Sequence, residues 1–163
     1  MAHFLQWQGI DCLGVAYTRE ALRLREAGIT VPIVVFYPGE EPVRLYRDYE
    51  LEVVAGTWEA LRYWAGQAPL HVEFDTGMGR MGLSPSEAAE VLSYLKTHQA
   101  RVKGILSHVA HAENPSHPLT QKQIKVFASL YARFKEAFPE ALGHLLNTAG
   151  ILSMGGEAAY DMV

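Results

Sequence analysis

Short apolar runs alternate with amphipathic stretches along the whole of this 163-residue chain, and that alternation leaves few folds open. Residues 10–17, 31–37, 51–55, 70–74, 102–107 and 142–146 are strand-like. Thr18 is placed to cap a helix ending at Gly28, and Thr57 one that runs to about residue 65. A short helix is expected over residues 40–48. Ser84-Pro85-Ser86-Glu87 combines an N-cap, a first-turn proline and a capping-box glutamate, with Ala88, Val91, Leu92 and Leu95 forming the apolar stripe behind it. Thr120 with Gln123 opens a long helix on which Ile124, Phe127, Tyr131, Phe134 and Phe138 share a face. Residues 160–163 read as one more strand beginning. Continuous apolar strands separated by amphipathic helices indicate a parallel sheet covered by helices. The spacing suits either the βα units of a barrel or a doubly wound sheet.

Composition narrows the function classes. The net charge of −4 argues against a nucleic-acid or anionic-membrane partner. The lone Cys12 rules out an internal disulfide framework and, within an apolar run, reads as buried and inert. Met1-Ala2-His3-Phe4 lacks the pattern of a signal peptide, and no apolar stretch reaches membrane-spanning length, so a soluble cytoplasmic chain is expected. The chain begins where a helix should be ending and stops where a strand should be starting, so a piece of something longer is expected.

The chemistry concentrates at the strand ends. Asp75-Thr76-Gly77-Met78-Gly79-Arg80-Met81-Gly82 follows the strand His71-Val72-Glu73-Phe74, and its glycines allow sharp turns and close approach to a ligand. Alternation turns Val72 and Phe74 toward the helices and His71, Glu73 and Asp75 inward. A buried carboxylate needs a partner, and Arg80 is the natural one for Glu73, either as a structural ion pair or as part of a site. His108 ends the next strand, where it could stack on a ring, move a proton or bind metal. The spacing of His108, His111 and His117 matches no strong zinc signature, so no metal is expected. Asn147-Thr148-Ala149-Gly150 ends the last full strand, either as a phosphate cradle or as a plain helix cap.

Together these strand ends resemble the alanine racemase family. The likeness runs through Leu13-Gly14-Val15-Ala16, Leu22-Arg23, Ala27-Gly28-Ile29, Pro32-Ile33-Val34, residues 75–82, Gly104 to His108, Asn147-Thr148-Ala149 and Asp161-Met162-Val163. The resemblance implies a partial TIM-type (β/α)8 barrel of parallel strands, about strands two to seven of eight. Residues 1–163 would then be the barrel domain that carries pyridoxal 5′-phosphate, without the family's first strand and C-terminal β domain. It implies that Arg80 holds the cofactor's phenolic oxygen and orients the substrate carboxylate, so that it acts in catalysis as well as binding. His108 would pack against the pyridine ring, Thr148 would touch the phosphate where the family usually has serine, and Asn147 would match its neighbour. It also implies a small amino acid as substrate, D-alanine for peptidoglycan as product, and a homodimer.

Two departures from the family pattern matter. Glu73 stands where many members have a carbamylated lysine bracing the arginine, so its charge role is expected with altered geometry, through a water if not directly. The Schiff-base lysine, the opposing tyrosine base and the arginine at the pyridine nitrogen are not in the sequence. The chain by itself is therefore expected not to racemise anything, and the open sheet edges favour association. Two other readings stay open: a pyridoxal-phosphate barrel racemase or lyase acting on another amino acid, and a non-catalytic remnant or binding module.

Overall fold

The computed structural model describes residues 1–156 and 158–163. A sheet of six parallel strands runs in sequence order through β1 (Leu13–Tyr17), β2 (Ile33–Tyr37), β3 (Leu51–Ala55), β4 (Leu70–Glu73), β5 (Val102–Leu106) and β6 (Leu142–His144). Helix α1 (Ala2–Trp7) precedes β1, and α2 (Thr18–Glu26), α3 (Val43–Asp48) and α4 (Trp58–Trp64) make the next three crossovers. Helices α5 (Ala88–Thr97) and α6 (Pro118–Ala137) make the longer ones, and α7 (Thr148–Met154) follows β6. None of the described helices is long and apolar enough to cross a membrane.

The sheet curls. Val34 of β2, Val54 of β3 and Leu106 of β5 form one small inner cluster with Cys12 and Phe36. Because β2 and β5 are not neighbours, only a concave sheet brings their side chains together. The opposite face carries the main core, with Val72 and Phe74 fully buried there and Phe74 edge-on to Phe134 at 5.6 Å. Burying one such ring contributes about 1.5–3 kcal/mol. The result is a partial α/β barrel whose edge strands are β1 and β6, as the resemblance implied.

Several expected ends shift for identifiable reasons. Tyr17, not Thr18, occupies the N-cap of α2, and Glu20 folds back to accept both the Ala16 and Tyr17 amides at 2.9 Å. Thr18 is instead buried, its hydroxyl 2.6 Å from Tyr46 Oη and donating to the Pro38 carbonyl at 3.2 Å. His117 caps α6 through Nδ1, so Thr120 and Gln123 lie inside that helix and are fully buried. The capping box at Ser84 and Glu87 forms as expected, opening with a 3-10 turn (Pro85–Glu87) before α5. Residues 160–163 do not form a strand. They cross β6 through a single bridge between Met162 and His144, and Asp161 fixes them by accepting from Tyr131 Oη at 2.7 Å and from the Gly143 amide at 2.8 Å.

Candidate functional site

The carboxyl ends of the strands surround a cavity of about 300 Å3. Its walls include Glu73 and Arg80 from the β4 side, His108 after β5 and Asn147 after β6, with Cys12 and Phe36 toward the interior. Several strand ends thus deliver polar groups to one place, where α/β folds bind ligands.

The loop carrying Arg80 is built by Asp75. Its Oδ1 accepts from the Gly77 and Met78 amides at 2.8 and 2.7 Å, and its Oδ2 from Gly79 at 2.8 Å. The carboxylate is therefore spent on the loop rather than turned into the barrel. The loop closes where the Asp75 amide donates to the Leu83 carbonyl and the Leu83 amide to that of Glu73. Gly82, at φ +118°, makes the crossing possible, because a Cβ there would collide with the Asp75 nitrogen.

His108 is held by Asn147. Asn147 Oδ1 caps α7 by accepting from the Gly150 amide at 3.0 Å, which leaves its Nδ2 facing His108 Nε2 at 3.2 Å. Nε2 is then an acceptor, and the neutral ring carries its proton on Nδ1. Burial, and then the positive charge of Arg80, push His108 below the usual histidine range, which favours that neutral form. Thr148 lies beside Asn147 as the first residue of α7, with its side chain exposed.

Glu73 and Arg80 line the same cavity, yet no ion pair within 4 Å joins them among the described residues. The Glu73 side chain points toward Gly56, where an added Cβ would come 3.0 Å from Oε2. Burial raises the Glu73 carboxyl above its ordinary range, Arg80 draws it part of the way back, and Asp75 adds to the rise. Their interaction is a field across the cavity rather than a contact.

Two features of the site were not read from the sequence, where Gln123 is expected only to open α6 with Thr120 and His71 only to face inward. Gln123, fully buried on α6, accepts from the Ala110 amide at 2.9 Å and donates to the His108 carbonyl at 2.8 Å and to Thr76 Oγ1 at 3.2 Å. It ties the Arg80 loop to the His108 loop. The signal was present, since Gln123 stands four residues before Phe127 in a buried stripe. Leading away from the cavity wall at His144, Glu52, His71 and His144 form a partly buried chain, with Glu52 Oε2 to His71 Nε2 at 2.8 Å and His71 Nδ1 to His144 Nε2 at 3.1 Å. Burial, with His71 adjacent, pushes His144 down to about 3. His111 and His117 are not in the cavity, and their rings pack against each other at 4.4 Å. Cys12 is half-buried rather than fully buried, and burial raises its thiol to about 11, where it stays protonated.

A sequence-family model described as "Alanine racemase, N-terminal domain" matches residues 1–163. The alanine racemase of Symbiobacterium thermophilum is 34% identical over 165 residues, covering 95% of this chain and 44% of that protein. The crystal structure of alanine racemase from a D-cycloserine-producing Streptomyces lavendulae superposes with a TM-score of 0.88 at 30% identity, covering 99% of this chain and 46% of the other. The alanine racemase of Bartonella henselae, described with covalently bound pyridoxal phosphate, shares the fold with a TM-score of 0.83 at 24% identity, covering 99% and 48%. The chain spans less than half the length of these relatives.

Proposed function

Because the chain belongs to the family of alanine racemase N-terminal domains, we propose that residues 1–163 serve as the pyridoxal-phosphate-binding barrel domain of an enzyme that interconverts L- and D-alanine. The observation that carries this reading is the convergence of Arg80, His108 and Asn147, from three separate strand ends, on one cavity.

The residues present suit the cofactor in part. A neutral His108 ring, fixed by Asn147, offers a flat face to an aromatic ring. The Arg80 guanidinium, without a hydrogen bond to any described residue, is available for a phenolic oxygen or a substrate carboxylate. Thr148, exposed in the first turn of α7 next to the cavity-lining Asn147, is the residue we assign to the phosphate. Among the described residues lining the cavity there is no lysine, so covalent attachment is not assigned to this chain's side chains. When bound, pyridoxal phosphate supplies an electron sink for the charge left on the α-carbon. Glu73 acts on Arg80 across the cavity through its field rather than by contact, or through a bridging water. The expected surroundings are a homodimer in the cytoplasm whose product, D-alanine, goes to peptidoglycan.

The experiment is a chimera. Residues 1–163 replace the matched segment of the Symbiobacterium thermophilum enzyme, which supplies the remaining polypeptide, and racemisation of alanine, serine and lysine is followed with pyridoxal phosphate. Turnover of alanine above the other two, lost in Arg80→Ala, supports the proposal. A folded, dimeric chimera that favours serine or lysine points to another racemase of the same fold, and one without turnover points to a binding module.

A further inference from the structure

Glu73 faces a second cavity. About 570 Å3 in volume, it lies beyond the first, between the ends of β2 and β3 and the start of α4. Phe36, Tyr37 and Glu73 line both cavities. Tyr63 adds another aromatic wall and Glu40 and Glu59 two more carboxylates, while no Lys, Arg or His among the described residues contributes. Three acids and several aromatic faces with no basic group make a site for a cation.

An acidic patch alone would mean little, but Glu73 is different in kind. It is 7% exposed, and among the described residues neither of its oxygens accepts a hydrogen bond. No fully buried side-chain oxygen lacks a hydrogen-bond partner among the described residues, so the Glu73 oxygens keep a narrow opening to the cavity. An entering positive group could pair with them there. Arg80 does not reach Glu73, and Gly56 clears the space beside its Oε2. A divalent metal is a poor match, because hard cations take six or more close oxygens and no group of three His, Cys, Asp or Glu among the described residues is arranged to hold one.

We propose that this second cavity binds an alkylammonium ion, with Glu73 as its buried counter-ion and Phe36, Tyr37 and Tyr63 as walls for the charge and its alkyl stem. An ammonium brings three donors to carboxylates that have none, and aromatic faces attract it further. The ion has two sources with the same chemistry: a free amine, or the side-chain ammonium of a basic amino acid whose backbone occupies the first cavity. The site does not depend on the racemase reading, since it uses this chain's residues alone.

The test is a titration of the isotope-labelled chain, without cofactor, with n-butylammonium chloride and separately with n-butanol, at constant ionic strength and followed by amide chemical shifts. Saturable shifts at Tyr37, Gly56 and Tyr63, about tenfold tighter for the ammonium than for the alcohol, are expected. Glu73→Gln should weaken the ammonium at least about tenfold, and Tyr63→Leu, on the exposed side of α4, about threefold. Equal affinity for ammonium and alcohol, or binding unchanged in Glu73→Gln, overturns the proposal. Should Glu73→Gln lose its dispersed spectrum, the Tyr63→Leu titration decides, and unchanged affinity there counts against the site. A further titration with lysine separates the sources: shifts reaching His108 and Asn147 assign the ion to a side chain spanning both cavities, and shifts confined to the second cavity assign it to a free amine.

Discussion

Gln123→Leu should be the most informative single change in the scaffold. Leucine matches glutamine roughly in size and suits a buried helix position, so packing survives and the polar contacts are isolated. The native side chain makes three hydrogen bonds, to the Ala110 amide, the His108 carbonyl and Thr76 Oγ1, at 2.9, 2.8 and 3.2 Å. At about 1 kcal/mol each the loss approaches 3 kcal/mol. Thr76 keeps its bond to Ser107 at 2.8 Å, and Ala110 and His108 are only half-buried, so water recovers part of it. A net cost of about 2 kcal/mol remains, which shifts the urea midpoint by about 1 M. Gln121→Leu, on the exposed face of the same helix, should stay within about 0.5 kcal/mol. The Gln123→Leu variant should also show faster amide exchange at residues 76–80 and 108–110, because both loops lose their shared anchor. A midpoint unchanged from that of the parent chain, or equal shifts for the two variants, would refute the assignment of Gln123 as the tie between the loops.

Acid stability should follow His144. Its folded value of about 3 lies below the ordinary 6.5, so between those limits the unfolded chain binds a proton that the folded chain does not. Stability from this group is complete above pH 6.5 and lost as pH falls toward 3, with a slope of up to about 1.4 kcal/mol per pH unit; urea melts across that window should show a shallower slope in His144→Gln. Gly82→Ala places a side chain at φ +118° and against the Asp75 nitrogen, and should cost at least about 2 kcal/mol in thermal or urea unfolding. Asp161→Asn weakens the tether from Tyr131 and Gly143, so amide exchange at Gly143 should quicken by about tenfold while the rest of the sheet stays protected.

What the sequence made legible was local, and what it hid was set by topology. Strands and helices followed from apolar patterning and caps, and Thr57 and Ser84 cap as their spacing required. The Asp75 loop was visible as a glycine-rich turn, but not that Asp75 itself would bind three of the loop's own amides. Glu73 and Arg80 suggested an ion pair because they are close in sequence, whereas the fold turns the shorter acid toward Gly56 and leaves Arg80 at the rim. The chain from Glu52 through His71 to His144 joins β3, β4 and the end of β6, so no spacing rule along the sequence could reveal it. Both Glu52 and Gln123 nonetheless carry a readable warning: each is a polar side chain in an otherwise buried stripe, which requires a partner whose identity only the fold supplies.

The most direct test of the proposed cofactor site is a titration of the labelled chain with pyridoxine 5′-phosphate, which carries an alcohol in place of the aldehyde and so does not react with surface lysines. Saturable shifts centred on Arg80, His108, Asn147 and Thr148, and weakened about tenfold in Arg80→Ala, are the predicted result. Shifts scattered over other faces, or affinity untouched by Arg80→Ala, would contradict the claim that these strand ends form the cofactor cavity.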